Sequence, residues 1–282
     1  MKNPALAVLL VTLISACATS PTGRKQLMLV SEQQAISESK QAYLQTMGKL
    51  SSEGKLVTDP KLLKRVDTIT GRLIAQAIIM RPATQSWEWS VEVIDDPKTV
   101  NAWCMAGGRM AIYTGLIQKI DPTDAELAQV MGHEISHALA NHTAERMSNA
   151  MLGQGLAIGA GIATDSGAVM AGAQGAAMLA LTLPNSRVSE TEADRIGIEL
   201  AAKAGYDPRA AATLWQKMAK AGGGGPPQFL STHPAPGNRQ ATLAALEAQM
   251  MPYYEQPGPR PVYPLARPMT APAAKKSAPA LR

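Results

Sequence analysis

The stretch that most restricts the fold is Gly132-His133-Glu134-Ile135-Ser136-His137-Ala138, an H-E-x-x-H pattern inside an apolar-periodic run from Ala125 to Leu139. The periodicity predicts a helix, and residues four apart on a helix share a face. His133 and His137 can then aim their imidazoles at one metal ion, while Glu134 on the flank holds a water without being a ligand. Zn²⁺-dependent hydrolysis needs this division: neutral nitrogens hold the metal and a carboxylate serves as general base. A His pair at this spacing is often only an exposed polar pair. Here the flanks Val130-Met131 and Ala138-Leu139 are apolar, and two of the chain's 4 histidines fall in the motif. Imidazoles and a carboxylate on a core-facing helix are costly to bury unless something satisfies them.

Two histidines do not complete a catalytic zinc site, which takes three protein ligands and a water. For one zinc per chain, the third ligand must come from another helix, and the candidates are Glu190, Glu192, Asp194 and His233. Asp194 is also suited to accept the free N–H of a ligating histidine and fix its tautomer. His142, five residues beyond His137, is expected to point elsewhere, as a surface or capping residue.

The N-terminus reads as a targeting segment over residues 1–16: Lys2 as a short basic region, then Ala5 to Ile14 as an apolar run too short to span a bilayer well. It ends in Ile14-Ser15-Ala16-Cys17, and small residues before a cysteine resemble the lipobox of bacterial lipoproteins. That resemblance implies cleavage before Cys17 and lipid on Cys17, with an ordinary secretory signal as the other reading. Ala18 rather than Asp follows, which by the usual lipoprotein sorting pattern implies the outer membrane. The remaining cysteine, Cys104, is then a lone thiol, expected to be buried. The net charge of +5 is spread out, with part of it in the C-terminal tail. No basic stripe is interleaved with aromatics, so nucleic acid is not an expected partner. Attraction to an anionic membrane surface is the milder reading.

Along the chain, residues 17–30 read as a tether. Ser31-Glu32-Gln33-Gln34 is a capping-box pattern for a helix to about Met47. Asp59-Pro60 opens a second helix to about Ile79. Trp87 to Val93 alternates apolar and polar residues, predicting a half-buried strand. A second strand covers Arg109 to Thr114, after Gly107-Gly108, which suggests a bulge or close backbone approach. These strands form either a plain hairpin or an edge that pairs with an extended peptide. Thr123-Asp124-Ala125-Glu126 caps the motif helix, expected to run to about His142. Residues 147–183 are rich in Gly and nearly uncharged. They read as a close-packed helical hairpin or flap, or as two membrane spans with small-residue contacts. Arg187 to Ala204 is a helix ending at Gly205, with Glu190 and Asp194 on one face. Further helices follow from Asp207-Pro208 to about Lys220 and from about Asn238 to Met250. The Pro-rich, basic residues 251–282 are expected to be a disordered tail.

Gly132-His133-Glu134-Ile135-Ser136-His137, the later Ser189-Glu190-Thr191-Glu192-Ala193-Asp194, and Ser231-Thr232-His233-Pro234 with Arg239 resemble the gluzincin peptidases of the CAAX prenyl endoprotease, HtpX and Oma type. The resemblance spans roughly residues 22–250 and is nearest to small periplasmic lipoprotein members. It implies an α+β, predominantly helical, zincin-like fold with a small sheet beside the motif helix, and a metallopeptidase domain over residues 31–250. It implies Glu190 as third zinc ligand and Asp194 as the group behind the ligands, with Glu192 facing away. Asn101-Ala102 through Gly107-Gly108 resembles the family's active-site edge strand, so Asn101, Ala102, Gly107 and Gly108 become substrate-binding candidates. His233 becomes a reversible fourth ligand or an oxyanion stabiliser, and Arg239 a holder of that loop or of substrate. Both residues could instead only anchor the loop.

These readings combine into a zinc endopeptidase, lipid-anchored to the periplasmic face of the outer membrane. Glu134 would be general base and His233 would assist catalysis. The expected partners are unfolded or misfolded polypeptides and outer-membrane proteins or their assembly machinery, with the membrane reached through Cys17. The rivals are a zinc-bound chaperone or assembly factor with little proteolysis, and a protease embedded in the membrane.

Overall fold

A computed structural model describes residues 17–163, 186–221, 228–234, 239–265 and 267. The chain opens with a small antiparallel hairpin of β1 (Cys17–Thr19) and β2 (Lys25–Leu27), which pair Cys17 with Leu27 and Thr19 with Lys25. The segment expected to be a tether is therefore folded: Ser20 and Gln26 are buried, and Val30 N–H donates to Ser148 Oγ at 2.9 Å.

Helix α1 (Glu32–Ser52) starts where Ser31 accepts from Gln34 N–H, and α2 (Pro60–Met80) starts where Asp59 accepts from Lys61 N–H. Both N-caps sit where the sequence puts them, because a short acceptor side chain satisfies an otherwise orphaned amide. A 3₁₀ turn, Pro82–Ser86, leads into the sheet.

The sheet has β3 (Ser90–Ile94), β4 (Ala102–Met105) and β5 (Arg109–Tyr113) in the order β3-β5-β4, with β3 parallel and β4 antiparallel to β5. Two expectations are corrected here. β3 is buried along its whole length rather than half-buried. One face carries Val91, Val93, Met110 and Ile112 into the main core, and the other carries Ile94 and Ala111 onto Tyr43 and Met47 of α1. Glu92 is consequently enclosed, with Arg267 Nη1 at 3.6 Å as its counter-charge. Secondly, the segment from Gly107 to Thr114 is not a free edge, because β5 is the central strand. The edge is β4. Gly107 and Gly108 make the β4–β5 turn at φ +85° and +81°, and a Cβ on Gly108 would fall 2.4 Å from the Trp89 ring.

Helix α3 (Thr114–Ile120) leads to α4 (Asp124–Leu139), the motif helix. Thr123 and Glu126 close the expected capping box, with bonds of 3.2 and 2.8 Å. The helix stops earlier than expected. Asn141 takes a left-handed φ of 55° and a new helix, α5 (His142–Ala163), begins at once. Asn is among the few side chains that tolerate that turn. Residues 164–185, most of the Gly-rich stretch expected as a hairpin or flap, lie outside the described residues. Among the described residues no helix is long and apolar enough to cross a membrane.

Helix α6 (Arg187–Lys203) packs on α4 through two glycines. A Cβ on Gly132 would meet Gly197 O at 2.9 Å, and a Cβ on Gly197 would meet His133 N at 2.8 Å. Helices α7 (Ala210–Lys220), α8 (Gln228–Thr232) and α9 (Arg239–Glu255) complete the core around Trp215 and Phe229.

The expected disordered tail is corrected over residues 251–265. α9 runs on to Glu255, Arg260 donates to Lys203 O at 2.9 Å, and Tyr263 N–H donates to Gly71 O at 2.9 Å. Arg267 then binds Asp67 and Val91 O. Residues 268–282 lie outside the described residues.

The glycine contact yields a prediction. Gly197→Ala should cost about 1–3 kcal/mol through overpacking and weaken zinc binding together with it, because α6 carries Glu190 and Asp194. Urea unfolding and zinc titration of the variant check this. Unchanged zinc affinity would mean that the helix spacing does not control the site.

Candidate metal centre

The site is assembled by two helices and one loop. His133 and His137 project from one face of α4, Glu190 from the first turn of α6, and His233 from just beyond α8. All four are buried, and their donor atoms lie within 4.8 Å of one another. His133 Nε2 is 3.1 Å from His137 Nε2, and Glu190 is 3.3 Å from each ring through a different oxygen. Four donors at about 2.0–2.1 Å around a tetrahedral zinc lie roughly 3.3 Å apart, so the spacing fits that ion.

The hydrogen bonds behind the ring make the same point. His133 Nδ1 is 2.9 Å from Asp194 Oδ1, so in the neutral ring its N–H donates there and leaves the Nε2 lone pair aimed inward for a metal. Two imidazole nitrogens and one carboxylate converge in a buried space, a donor set that fits a zinc ion. The site is therefore a zincin-like zinc centre. His133, His137 and Glu190 would hold the metal, which when bound supplies Lewis acidity toward a water and a carbonyl oxygen.

The electrostatics follow from burial and charge together. Burial disfavours the charged His133 ring, but Glu190 and Asp194 outweigh it and raise its pKa to about 9 in the metal-free protein. His137 is pushed well below its ordinary value by burial, with Glu190 opposing. Burial also works against the Glu190 charge, yet the two imidazoles hold its carboxyl far below the usual range. Glu134 is raised by burial, offset in part by His233 and His133. A raised carboxyl is closer to what a general base needs near neutral pH.

Glu134 opens onto a cleft of ≈ 330 Å³. Asn101 to Met105, Glu134, His137, Arg146 and His233 are among the residues that line it. His233 Nδ1 is 3.0 Å from Glu190 Oε1 and 3.2 Å from His133 Nε2, while its Nε2 is 3.4 Å from Glu134 Oε1. Its ring stacks on Phe229 at 4.4 Å.

The sequence-predicted residues divide clearly. His133, Glu134, His137, Glu190, Asp194 and His233 come together, and Asn101 and Ala102 line the cleft. Gly107 and Gly108 do not line it, since they turn the hairpin against Ile36 and Trp89. Arg239 does not reach substrate space either. It is buried, donates to Asp194 at 2.6 Å, and stacks 3.4 Å over Trp215. One further expectation is corrected. His142 is fully buried, not superficial, and lies against His137 with Nδ1 atoms 2.8 Å apart. Glu192 faces away from the metal donors as expected, and there it is buried and receives His142 Nε2 at 3.1 Å. The signal for His142 was the early helix break, which turns it back toward the metal face. Cys104 is buried, and burial raises its thiol well above the ordinary value.

Comparison with known proteins agrees with the site. Residues 60–247 match the model of peptidase family M48, and the chain belongs to that family. It is 40% identical over 174 residues to the mitochondrial metalloendopeptidase OMA1 of Arabidopsis thaliana, covering 59% of this chain and 34% of that protein. It is 31% identical over 243 residues to human OMA1, covering 82% and 45%. It is 30% identical over 223 residues to the beta-barrel assembly-enhancing protease of Escherichia coli (strain K12), covering 73% and 43%. The chain thus spans a third to a half of the length of the curated relatives it matches.

The His133 environment predicts a proton signature. The raised pKa means that its imidazolium stabilises the metal-free fold fully below the ordinary value of 6.5, and that this stability is lost as pH rises through about 9. Zinc must displace that proton, so binding at neutral pH should release about one proton, fading above the raised pKa. Calorimetry in buffers of different ionisation enthalpy reads it, and no release at neutral pH would mean that His133 is not protonated in the metal-free protein.

Proposed function

We propose that this chain is a zinc endopeptidase that cleaves extended, unfolded polypeptides. The single observation that carries the reading is that Glu134, His137 and His233 line one cleft together with Asn101 and with Ala102 to Met105 of the outer strand β4. The register says what that edge offers. Tyr113 N–H donates to Asn101 O at 3.1 Å, so Asn101 and Trp103 turn their backbone polar groups to β5. Ala102 and Cys104 turn theirs outward, and Ala102 N–H is taken by Asn101 Oδ1 at 3.0 Å. Among the described residues nothing pairs with the Ala102 carbonyl or with the two backbone groups of Cys104, which can pair with a substrate strand. Folded proteins do not present a free strand, which favours misfolded chains.

In this reading Glu134 takes a proton from the attacking water and returns it to the leaving amine. His233 lies among the donors, on the side where that water must sit, so it has to move before substrate is cut. Its position favours a resting, closed site over an oxyanion role.

We place the enzyme in protein quality control at the periplasmic face of the outer membrane, held by lipid on Cys17, with outer-membrane proteins or their assembly machinery as partners. The support is the leader pattern ending at Cys17 and the similarity to proteases named for enhancing beta-barrel assembly. The rival role is a zinc-bound chaperone or assembly factor, favoured by the closed position of His233 alone.

Casein cleavage with zinc analysis separates these. Glu134→Gln should keep one zinc and lose activity by at least about 10²-fold, the usual scale for a general base, and His233→Ala should cleave faster than wild type. Zinc without cleavage in wild type and His233→Ala alike would favour the chaperone role.

A further inference from the structure

Two buried groups beside the metal centre have no part in the reaction described above. His142 opens α5, with its Nδ1 2.8 Å from His137 Nδ1 and its Nε2 3.1 Å from Glu192 Oε2. The contacts continue from Glu192 to the N-terminal hairpin. Its carboxylate accepts from the hydroxyls of Ser20 and Thr22, and from Arg24 Nε–H at 2.6 Å. Arg24 turns its other edge to Glu145 of α5, with bonds of 2.6 and 2.7 Å. Gln26 Nε2 donates to Ala140 O at 2.7 Å and to Glu145 at 2.9 Å. The hairpin therefore grips the junction between α4 and α5, next to the last turn of the metal helix.

The proton arrangement along this chain has one consistent solution for neutral rings. A carboxylate ringed by Ser20, Thr22 and Arg24 donors accepts only, so His142 Nε2 carries its N–H toward Glu192. His142 Nδ1 then has the lone pair and accepts from His137 Nδ1–H. His137 Nε2 is left with its lone pair pointing at the donor cluster, as metal binding requires. Asp194 performs the same service for His133 directly, whereas His137 receives it through a relay of two residues.

We propose that the hairpin of residues 17–27 is a working part of the metal centre. Seated on Glu192, it sets through His142 the tautomer and ring orientation of His137, and thereby the zinc affinity. His142 and Glu192 are positioning residues, and Ser20, Thr22 and Arg24 are the lock that holds them. An event at the chain's N-terminal side that pulls the hairpin away would loosen zinc without touching a ligand. The inference rests on the metal centre and not on the proteolytic reading, so its readout is zinc and not cleavage.

The test is zinc affinity of the whole chain by competition with a chromophoric chelator, with the visible spectrum of the Co²⁺-loaded protein and thermal unfolding alongside. Glu192→Gln is nearly isosteric, and its amide can donate to His142 and reverse the relay. It and His142→Ala should each lose 10–100-fold in zinc affinity, the scale for groups that orient a metal ligand, with shifted Co²⁺ bands. A triple hairpin variant, Ser20→Ala with Thr22→Val and Arg24→Gln, should weaken zinc in the same direction. In a Glu192→Gln background it should add little, because the path runs through Glu192. Should His142→Ala fail to fold, Glu192→Gln and the hairpin variant decide the matter. Zinc affinity within about twofold of wild type in Glu192→Gln would overturn the proposal. So would a hairpin variant that melts earlier yet binds zinc as wild type does, or one whose loss adds in full to that of Glu192→Gln.

Discussion

The contact on which the structure depends is backbone against backbone, where α4 meets α6 at Gly132 and Gly197. With no side chain between them, the helices approach until a Cβ at either position would sit within 3 Å of the other backbone. That closeness is what lets short side chains complete the centre. Glu190 and Asp194 stand one turn apart on α6, and Gly197 continues the same face. A glutamate reaches between two imidazoles, and an aspartate reaches behind one of them. An extra methyl group in the gap would move both carboxylates together, because they ride on one rigid element.

Buried charge at the metal centre is tolerated because opposite charges are set close together. The carboxylates of Glu190 and Asp194 face His133, His137 and Arg239. Arg239 in turn lies over Trp215, so its cation is covered as well as paired. Desolvation strengthens each of these interactions, and the same desolvation raises Glu134 toward the range useful for a base. The site's chemistry and its cost of burial thus have one physical origin. The N-terminal hairpin extends the arrangement outward, since Arg24 links Glu192 to Glu145.

Much of this was legible in the sequence. The spacing of His133, Glu134 and His137 gave the metal face, and the spacing of Glu190 and Asp194 gave the second helix, because local periodicity decides which residues share a face. The caps at Ser31, Asp59 and Thr123 were legible for the same reason. Other features depend on what comes from far along the chain. Whether β3 is half or fully buried turns on α1 and on Arg267, and neither is visible in the alternation of Trp87 to Val93. The identity of the edge strand depends on the parallel pairing of β3 with β5, which encloses the segment expected to meet substrate. His142 was misjudged because the helix was expected to continue through Asn141, and a continuous helix would have carried His142 away from His137. The ordered run from Gln256 to Leu265 was hidden by its own composition. Proline-rich segments lack periodicity whether or not they dock, and this one docks through backbone groups on Gly71 and α6.

X-ray absorption at the zinc edge of the resting protein tests the central claim most directly, since it counts the metal's neighbours. The account predicts one zinc in a shell of light atoms at about 2.0–2.1 Å, with imidazole scattering from His133 and His137, a carboxylate oxygen, and a third imidazole while His233 is closed. A sulfur neighbour at about 2.3 Å, or no zinc retained by folded protein, would contradict it.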